Sequence, residues 1–409
     1  MHRRKFLKQA GLFSAATLVS VAPHSWALRT EAAQASNSKR LIVIFLRGAV
    51  DGLNVVVPYQ DSAYYEARPR IALAKPGQDG GVLDLDGQFG LHPALSSLLP
   101  LWQQGSLTFI PASGSPDSTR SHFDAQDFME SGTPGIKTTR DGWMNRLLGV
   151  MSGRNPIQAV NVGATTPRIL AGRMPVASMG TGRGATNRLP LDRPQVATAF
   201  DRLYSSNDAL SQAYREGKEA RQAILKDLDT EMQMANNGAA LPNAFAGDAQ
   251  RLARLMVRDP RVELAFMAVG GWDTHVNQGN AKGQLATRLQ ALGRGLAELQ
   301  KGLGTAYANT TILVMSEFGR TVKENGNGGT DHGHGNALWA MGGGVKGGKI
   351  YGDWRGLSSD QLYEERDVPV TTDFRDAIVP LLERHLGLND NQLNQVFPGY
   401  VPKQRIGIV

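Results

Sequence analysis

The chain has no cysteine among its 409 residues. That excludes disulfide stapling, thiolate metal sites, iron–sulfur clusters and a cysteine nucleophile. Any metal must therefore rest on histidine, aspartate, glutamate or hydroxyl oxygen. No clustered run of Lys and Arg interrupts the sequence, so no nucleic-acid partner is expected. No internal repeat is visible, and no low-complexity tract beyond glycine-rich loops. The uncharged stretch from Ala10 to Ala22 spans about 13 residues, whereas a membrane-spanning helix needs roughly 20. No stable membrane anchor is predicted.

What that stretch does resemble is an export signal. The opening MHRRKFLKQA places Arg3 and Arg4 ahead of Phe6, Leu7 and Lys8, followed by the apolar segment and by small-residue exits after Ala27 or Ala35. Residues 1–35 read as a cleavable twin-arginine signal peptide, which makes the twin-arginine translocase a partner during export and the periplasm or the exterior the destination. Cleavage removes Arg3, Arg4, Lys5 and Lys8 and takes the formal charge from +7 to +3. The basic balance of the whole chain thus partly belongs to the signal.

Residues 36–409 read as one α/β domain. Continuous apolar runs at Leu41–Leu46, Leu107–Pro111, Ile157–Val162, Val262–Val269 and Thr311–Met315, with a shorter one at Ala337–Met341, have the composition of strands buried on both faces of a parallel sheet. Between them, Leu285, Leu289, Leu292, Leu296 and Leu299 form one helical stripe in 281–303, and Phe374, Ile378, Leu381 and Leu382 another in 372–385. The alternation predicts a layered core with a mostly parallel central sheet flanked by helices. Residues 195–257, rich in Ala, Gln, Lys, Glu and Arg, predict a helical insertion of two or three helices, with Pro242 ending one of them.

Ligands of open α/β sheets bind beyond the carboxyl ends of the strands, and here those positions carry metal-ligand residue types. The first strand is followed by Arg47, Asp51 and Gly52. The second is followed by a helix start containing Ser118, Thr119, Arg120, Ser121, His122, Asp124 and Asp127, where a helix dipole favours an anion or an activated hydroxyl. Gly271-Trp272-Asp273-Thr274-His275 follows the strand ending at Val269, and alternation in an extended loop directs Asp273 and His275 to one side. Glu317 and Arg320 follow Met315, as ligand with anion clamp or as a salt bridge. Asp331-His332-Gly333-His334-Gly335 precedes the last apolar run, and its glycines let the backbone bend closely around a cation. Together these predict a metal-dependent hydrolytic site. The run Gly342–Gly348 lacks the GK[ST] ending of a phosphate-binding loop and reads as a turn.

The twin-arginine start and the segments LIVIFLRGAVDGLNVVVP, RSHFDAQDFMESG, GGWDTH, SEFGRT and DHGHGNALWAMGGGVKGGKIYGDW together resemble the exported bacterial family known as domain of unknown function 1501. That family in turn resembles the alkaline phosphatase and sulfatase superfamily. The resemblance implies an alkaline phosphatase-like fold with one or two divalent cations, of which Zn, Mn, Ca and Mg are all compatible. It implies Asp51, Asp273, His275, Glu317 and His332 or His334 as metal ligands, and Ser121, or Ser118 or Thr119, as the nucleophile beside His122. Arg120, Arg47 or Arg320 would hold the anionic group. A sulfatase-type formylglycine is not implied, because Gly114 stands two positions before Pro116 where the modified residue would sit. The chain also has Glu317-Phe318 where the superfamily has an Asp-His pair. The activity implied is hydrolysis of a phosphate or sulfate ester, on a small anionic substrate or an envelope polymer. The alternative is a non-hydrolytic envelope binding or assembly protein on the same fold.

Overall fold

Seven consecutive residues, Arg40–Leu46 (β1), are buried from end to end, as a strand covered on both faces must be. In this computed structural model, which describes residues 38–409 except 154, 164, 182–193, 207, 209, 213 and 216–243, β1 lies inside an eight-stranded sheet. A small antiparallel sheet of β2 (Val56–Val57), β3 (Leu83–Asp84) and β4 (Gly90–Leu91) follows it in the chain. The main sheet continues with β5 (Leu107–Gly114), β6 (Ala159–Val162), β7 (Ala177–Met179), β8 (Leu264–Val269), β9 (Thr310–Ser316), β10 (Asn336–Gly342) and β11 (Thr372–Asp373). Its spatial order is β11-β5-β10-β9-β1-β8-β6-β7. Every pairing is parallel except those of β10, which runs against both β5 and β9.

The two faces of β1 sort its side chains by the period of two that a strand imposes. Ile42, Ile44 and Leu46 share an apolar cluster with Leu285, Leu289, Leu292, Leu296 and Leu299 of the helix Gln284–Leu303 and with Leu252 and Met256 of the helix Ala244–Arg258. Leu41, Val43 and Phe45 belong to the opposite cluster, with Trp143 and Leu147 of Trp143–Val150, Ile378 of Phe374–Pro380 and Val396 of Asp390–Val396. The result is a mostly parallel sheet between two helical layers. Lys39–Val409 forms one compact unit, and no helix among the described residues is long and apolar enough to cross a membrane.

All six apolar runs are strands, but the segment 372–385 divides. Thr372–Asp373 joins the sheet edge, and Asp373 accepts the Arg375 N–H to cap the helix that begins at Phe374. Of the segment predicted as a helical insertion, the helices Pro194–Leu203 and Ala244–Arg258 are described, and the second packs in the layer over β1. The predicted signal peptide and the predicted helix end at Pro242 lie outside the described residues.

Candidate metal centre

The direction of β10 sets the site. β1, β5, β8 and β9 run one way and end at a common edge, while β10 runs the other way and begins there. The loops after Leu46, Gly114, Val269 and Ser316 therefore open onto the same edge as the DHGHG loop that precedes Asn336.

Three histidines meet at that edge. His122 is the first residue of the helix His122–Ser131, His275 comes from the loop after β8, and His332 from the loop before β10. The Nε2 atom of His332 lies 3.0 Å from that of His122 and 3.1 Å from that of His275. Asp273 Oδ1 is 2.9 Å from His275 Nε2 and 3.4 Å from His332 Nε2, and its Oδ2 is 3.7 Å from His122 Nε2.

The far side of each ring fixes its tautomer. Nδ1 of His122 donates to Glu317 Oε1 at 2.8 Å, Nδ1 of His275 to Asp331 Oδ1 at 3.1 Å, and Nδ1 of His332 to the Arg120 carbonyl at 3.0 Å. Carboxylates and carbonyls only accept, so each neutral ring carries its proton on Nδ1 and keeps a lone pair on Nε2. Three lone pairs and a carboxylate then face one point with no proton among them. A cation removes that repulsion, and histidines oriented from behind by carboxylate or carbonyl are the usual support of a metal site. Four donors bonded at 2.0–2.1 Å to a tetrahedral ion stand about 3.3 Å apart. Five of the six separations are given by the contacts above, at 2.9–3.7 Å, and straddle that spacing; among the described residues His122, Asp273 and His332 form a group able to hold an ion, with His275 beside it.

The charge states agree. Burial pushes Asp273 up, but the hydrogen bond and charge of Arg320, with His275 and His122, hold its carboxyl below the ordinary value. Burial, then the charges of His122 and Arg320, hold His332 below the usual imidazole range, which favours its neutral, ligating form.

Glu317, expected as a ligand, reaches the centre through His122. It is fully buried, and its Oε1 also accepts from the Gly48 N–H at 2.8 Å and from Gln126 Nε2 at 2.9 Å. Burial raises its pKa, and these hydrogen bonds overcome that and lower it. With its inner oxygen so occupied, Glu317 orients a ligand. Arg320, expected as an anion clamp, is buried and turned into the framework. Its Nε donates to the Ala49 carbonyl at 2.6 Å, its Nη1 to Thr330 at 3.1 Å, and its Nη2 to the Gly48 carbonyl at 2.6 Å and to Asp273 Oδ1 at 2.5 Å. It fixes Asp273 instead of meeting a substrate. The segments carrying Arg320 and His332 run side by side, with Gly333 N–H donating to the Gly319 carbonyl at 2.8 Å. A Cβ on Gly319 would strike the Gly335 carbonyl, and one on Gly333 the Arg320 backbone. The glycines of this loop serve chain against chain, where bending around a cation was expected.

Asp51 is not at the convergence point. Its carboxylate is fully buried and bound by Arg68, with Nη1 to Oδ2 at 2.6 Å and Nη2 to Oδ1 at 3.0 Å, and Gln278 Nε2 donates to Oδ2 at 2.6 Å. A carboxylate neutralised by a buried guanidinium has no charge left for a metal. Gln278 turns this pair into a support for the site, because its Oε1 accepts from Thr274 at 2.6 Å and from Thr330 at 3.2 Å, one residue from Asp273 and His275 and two from His332. His334 likewise faces away, its buried ring 4.7 Å from that of Tyr363. Burial, then the Arg120 charge, lowers its pKa.

Ser121 occupies the N-cap position immediately before His122, exposed, with no side-chain bond to the helix start. Arg120 pairs with Glu364 and Asp367, and Arg47 with Glu130 and Gln126. The structure thus brings His122, His275, His332 and Asp273 together, supports them with Glu317 and Arg320, and leaves Asp51 and His334 apart. Sequence reasoning named Asp331 with the DHGHG loop but gave it no role, and it missed Arg68 and Gln278, which carried no signal.

Residues 38–397 match the family described as Protein of unknown function (DUF1501). The chain belongs to this family. No curated protein matches it by sequence. Solved structures similar to this family member include a 2-O GAG sulfatase, at 10% identity and a TM-score of 0.40 over 90% of this chain and 76% of that one. Another is the lipoteichoic acid synthase LtaP from Listeria monocytogenes, at 9% identity and 0.37 over 91% and 79%. A third is the C-terminal periplasmic domain of EcEptC from Escherichia coli in complex with Zn, at 11% identity and 0.34 over 76% and 74%. At these scores the site rests on the chain's own residues.

Proposed function

We propose that this protein is an exported metal-dependent hydrolase of phosphate or sulfate esters, with one divalent cation held by His122, His275, His332 and Asp273. The observation that carries the reading is the convergence of three Nε2 lone pairs whose rings all donate from Nδ1. A cation there supplies Lewis-acid polarisation of an ester oxygen and lowers the pKa of a nearby hydroxyl or water. The chain's own groups do the rest. Ser121 presents an unengaged exposed hydroxyl beside His122, and the helix it precedes adds the positive end of its dipole for an anionic group. Glu317, Asp331 and the Arg120 carbonyl hold the three rings in register, and Arg320 holds Asp273.

Metal analysis of purified protein, with p-nitrophenyl phosphate and p-nitrophenyl sulfate assayed before and after chelation, tests this. One equivalent of metal and chelator-sensitive turnover are expected. Bound metal with no turnover on either ester would move the protein to the binding or assembly role. No bound metal would remove both the ligand assignment and the hydrolase.

A further inference from the structure

A hydrolase of anionic esters needs a cationic side chain free to meet the oxyanion. Four arginines stand at this edge, and their partners separate them; Arg366 is held by Asp367 and by the His332 carbonyl. Arg320 is buried and spent on backbone carbonyls and Asp273. Arg47 holds the buried Glu130 at 2.5 Å, and releasing it would strand a buried carboxylate whose pKa burial already raises. Arg120 differs. One of its partners, Asp367, is buried and also held by Arg366 Nη1 at 3.3 Å. The other, Glu364, is 53% exposed and meets Arg120 Nη2 at 2.7 Å. Exposed pairs of this kind are held weakly.

The turn that presents Glu364 is itself unusual. Glu364 and Glu365 have φ of 55° and 54°, in a hairpin closed by Tyr363 N–H to the Asp367 carbonyl at 2.8 Å and Asp367 N–H to the Tyr363 carbonyl at 3.0 Å. Paired left-handed residues at a tight hairpin are the place of Asn-Gly or Asp-Gly, and glutamate is strained there. The same hairpin touches the centre, since Arg366 Nη2 donates to the His332 carbonyl at 2.9 Å. Arg120 in turn offers its carbonyl to His332 and is followed directly by Ser121 and His122.

Resting on the hydrolase reading, we propose that Arg120 binds the tetrahedral oxyanion of the substrate and that the Glu364 carboxylate is an internal stand-in for that anion, displaced when substrate arrives. Asp367 stays in place and keeps the guanidinium aimed. Glu364 thereby sets a threshold that excludes weakly bound anions.

The test is calorimetric titration of inorganic phosphate and of inorganic sulfate into the full mature chain, as wild type, Glu364→Gln, Glu364→Asn, Arg120→Gln and the Arg120→Gln/Glu364→Gln double variant. Both Glu364 variants should bind the anion up to about fivefold more tightly, with Asn also suiting the left-handed backbone. Arg120→Gln should weaken binding, and the double variant should show no gain over it. The anion bound more tightly by wild type names the ester class. Wild-type or weaker affinity in both Glu364 variants, or an equal gain in the double variant, overturns the proposal. The same series on chelator-treated protein keeps the two readings apart. A chain that holds no metal sinks the hydrolase, while the exchange between Glu364 and the anion is still read directly.

Discussion

At the residue scale the centre depends on atoms that touch the cation and on atoms that aim them. His332→Ala removes the donor shared by both Nε2 contacts, and metal affinity should fall by more than about 100-fold. Glu317→Gln keeps the shape but weakens the acceptor behind His122, and supporting groups of this kind are worth about 10–100-fold in affinity. Competition against a chelating dye measures both. Equal losses in the two variants would mean that Glu317 binds the ion itself. Because Asp51 and Glu317 are both engaged elsewhere, the loaded chain should hold one equivalent of metal and no second.

At the scale of elements, the strand-end loops are held by buried polar contacts with no apolar substitute. Arg68 is fully buried, joins Asp51, and donates to the Thr321 and Val322 carbonyls at 2.9 and 2.8 Å. Removing one partner leaves the other charged and buried, so Arg68→Met should cost about 3–5 kcal/mol in denaturant unfolding. A loss below 1 kcal/mol would show that Asp51 finds another cation. Gln278→Met, of similar volume, cuts the tie between the Thr274 and Thr330 loops. It should weaken metal binding by about tenfold with a smaller effect on stability than Arg68→Met. On the helical layer, Leu296→Ala opens a cavity beneath β1 and should cost about 2–5 kcal/mol while leaving metal affinity unchanged.

At the scale of the whole molecule, buried neutral histidines tie stability to pH. His92 accepts the Ala94 N–H on Nδ1 at 3.0 Å and meets the Asn280 carbonyl through Nε2 at 3.1 Å, so a second ring proton has no acceptor. Burial lowers its pKa from 6.5 to about 4. The unfolded chain takes up this proton first, so the stabilisation is complete above pH 6.5 and is lost as pH falls toward about 4, by about 3 kcal/mol in all. His385, lowered by burial, acts in the same direction. His92→Asn keeps the cap without the titration, and urea unfolding between pH 4 and 8 should show a flatter acid limb for it. The proposed export belongs to this scale too. The twin-arginine route carries folded cargo, so sending the mature chain through an unfolded-export route should change its metal content. Identical metal by either route would remove that rationale.

The sequence by itself determined the strands, because an apolar run of five to eight residues has no stable home except between two layers. It also determined that any metal must rest on nitrogen or oxygen, and it picked out the loops that the structure brings together: Asp273, His275 and His332 were named from motif alone and lie within 3.4 Å of one another in the cluster. It could not determine which side each neighbour faces. His332 and His334 look equivalent in DHGHG, yet one enters the centre and the other packs on Tyr363, since only the pairing of this loop against Gly319 and Arg320 sets their directions. His122 read as a neighbour of the nucleophile and joins the histidine cluster, because the loop after β5 delivers its helix start to the edge. Asp51 read as a ligand and became half of a buried ion pair, because Arg68 arrives from another element and no spacing announces it. The reversal of β10 was decided by the tertiary structure as well. Apolar runs carry no direction, and that one direction brings the last histidine loop to the edge where the other strands end.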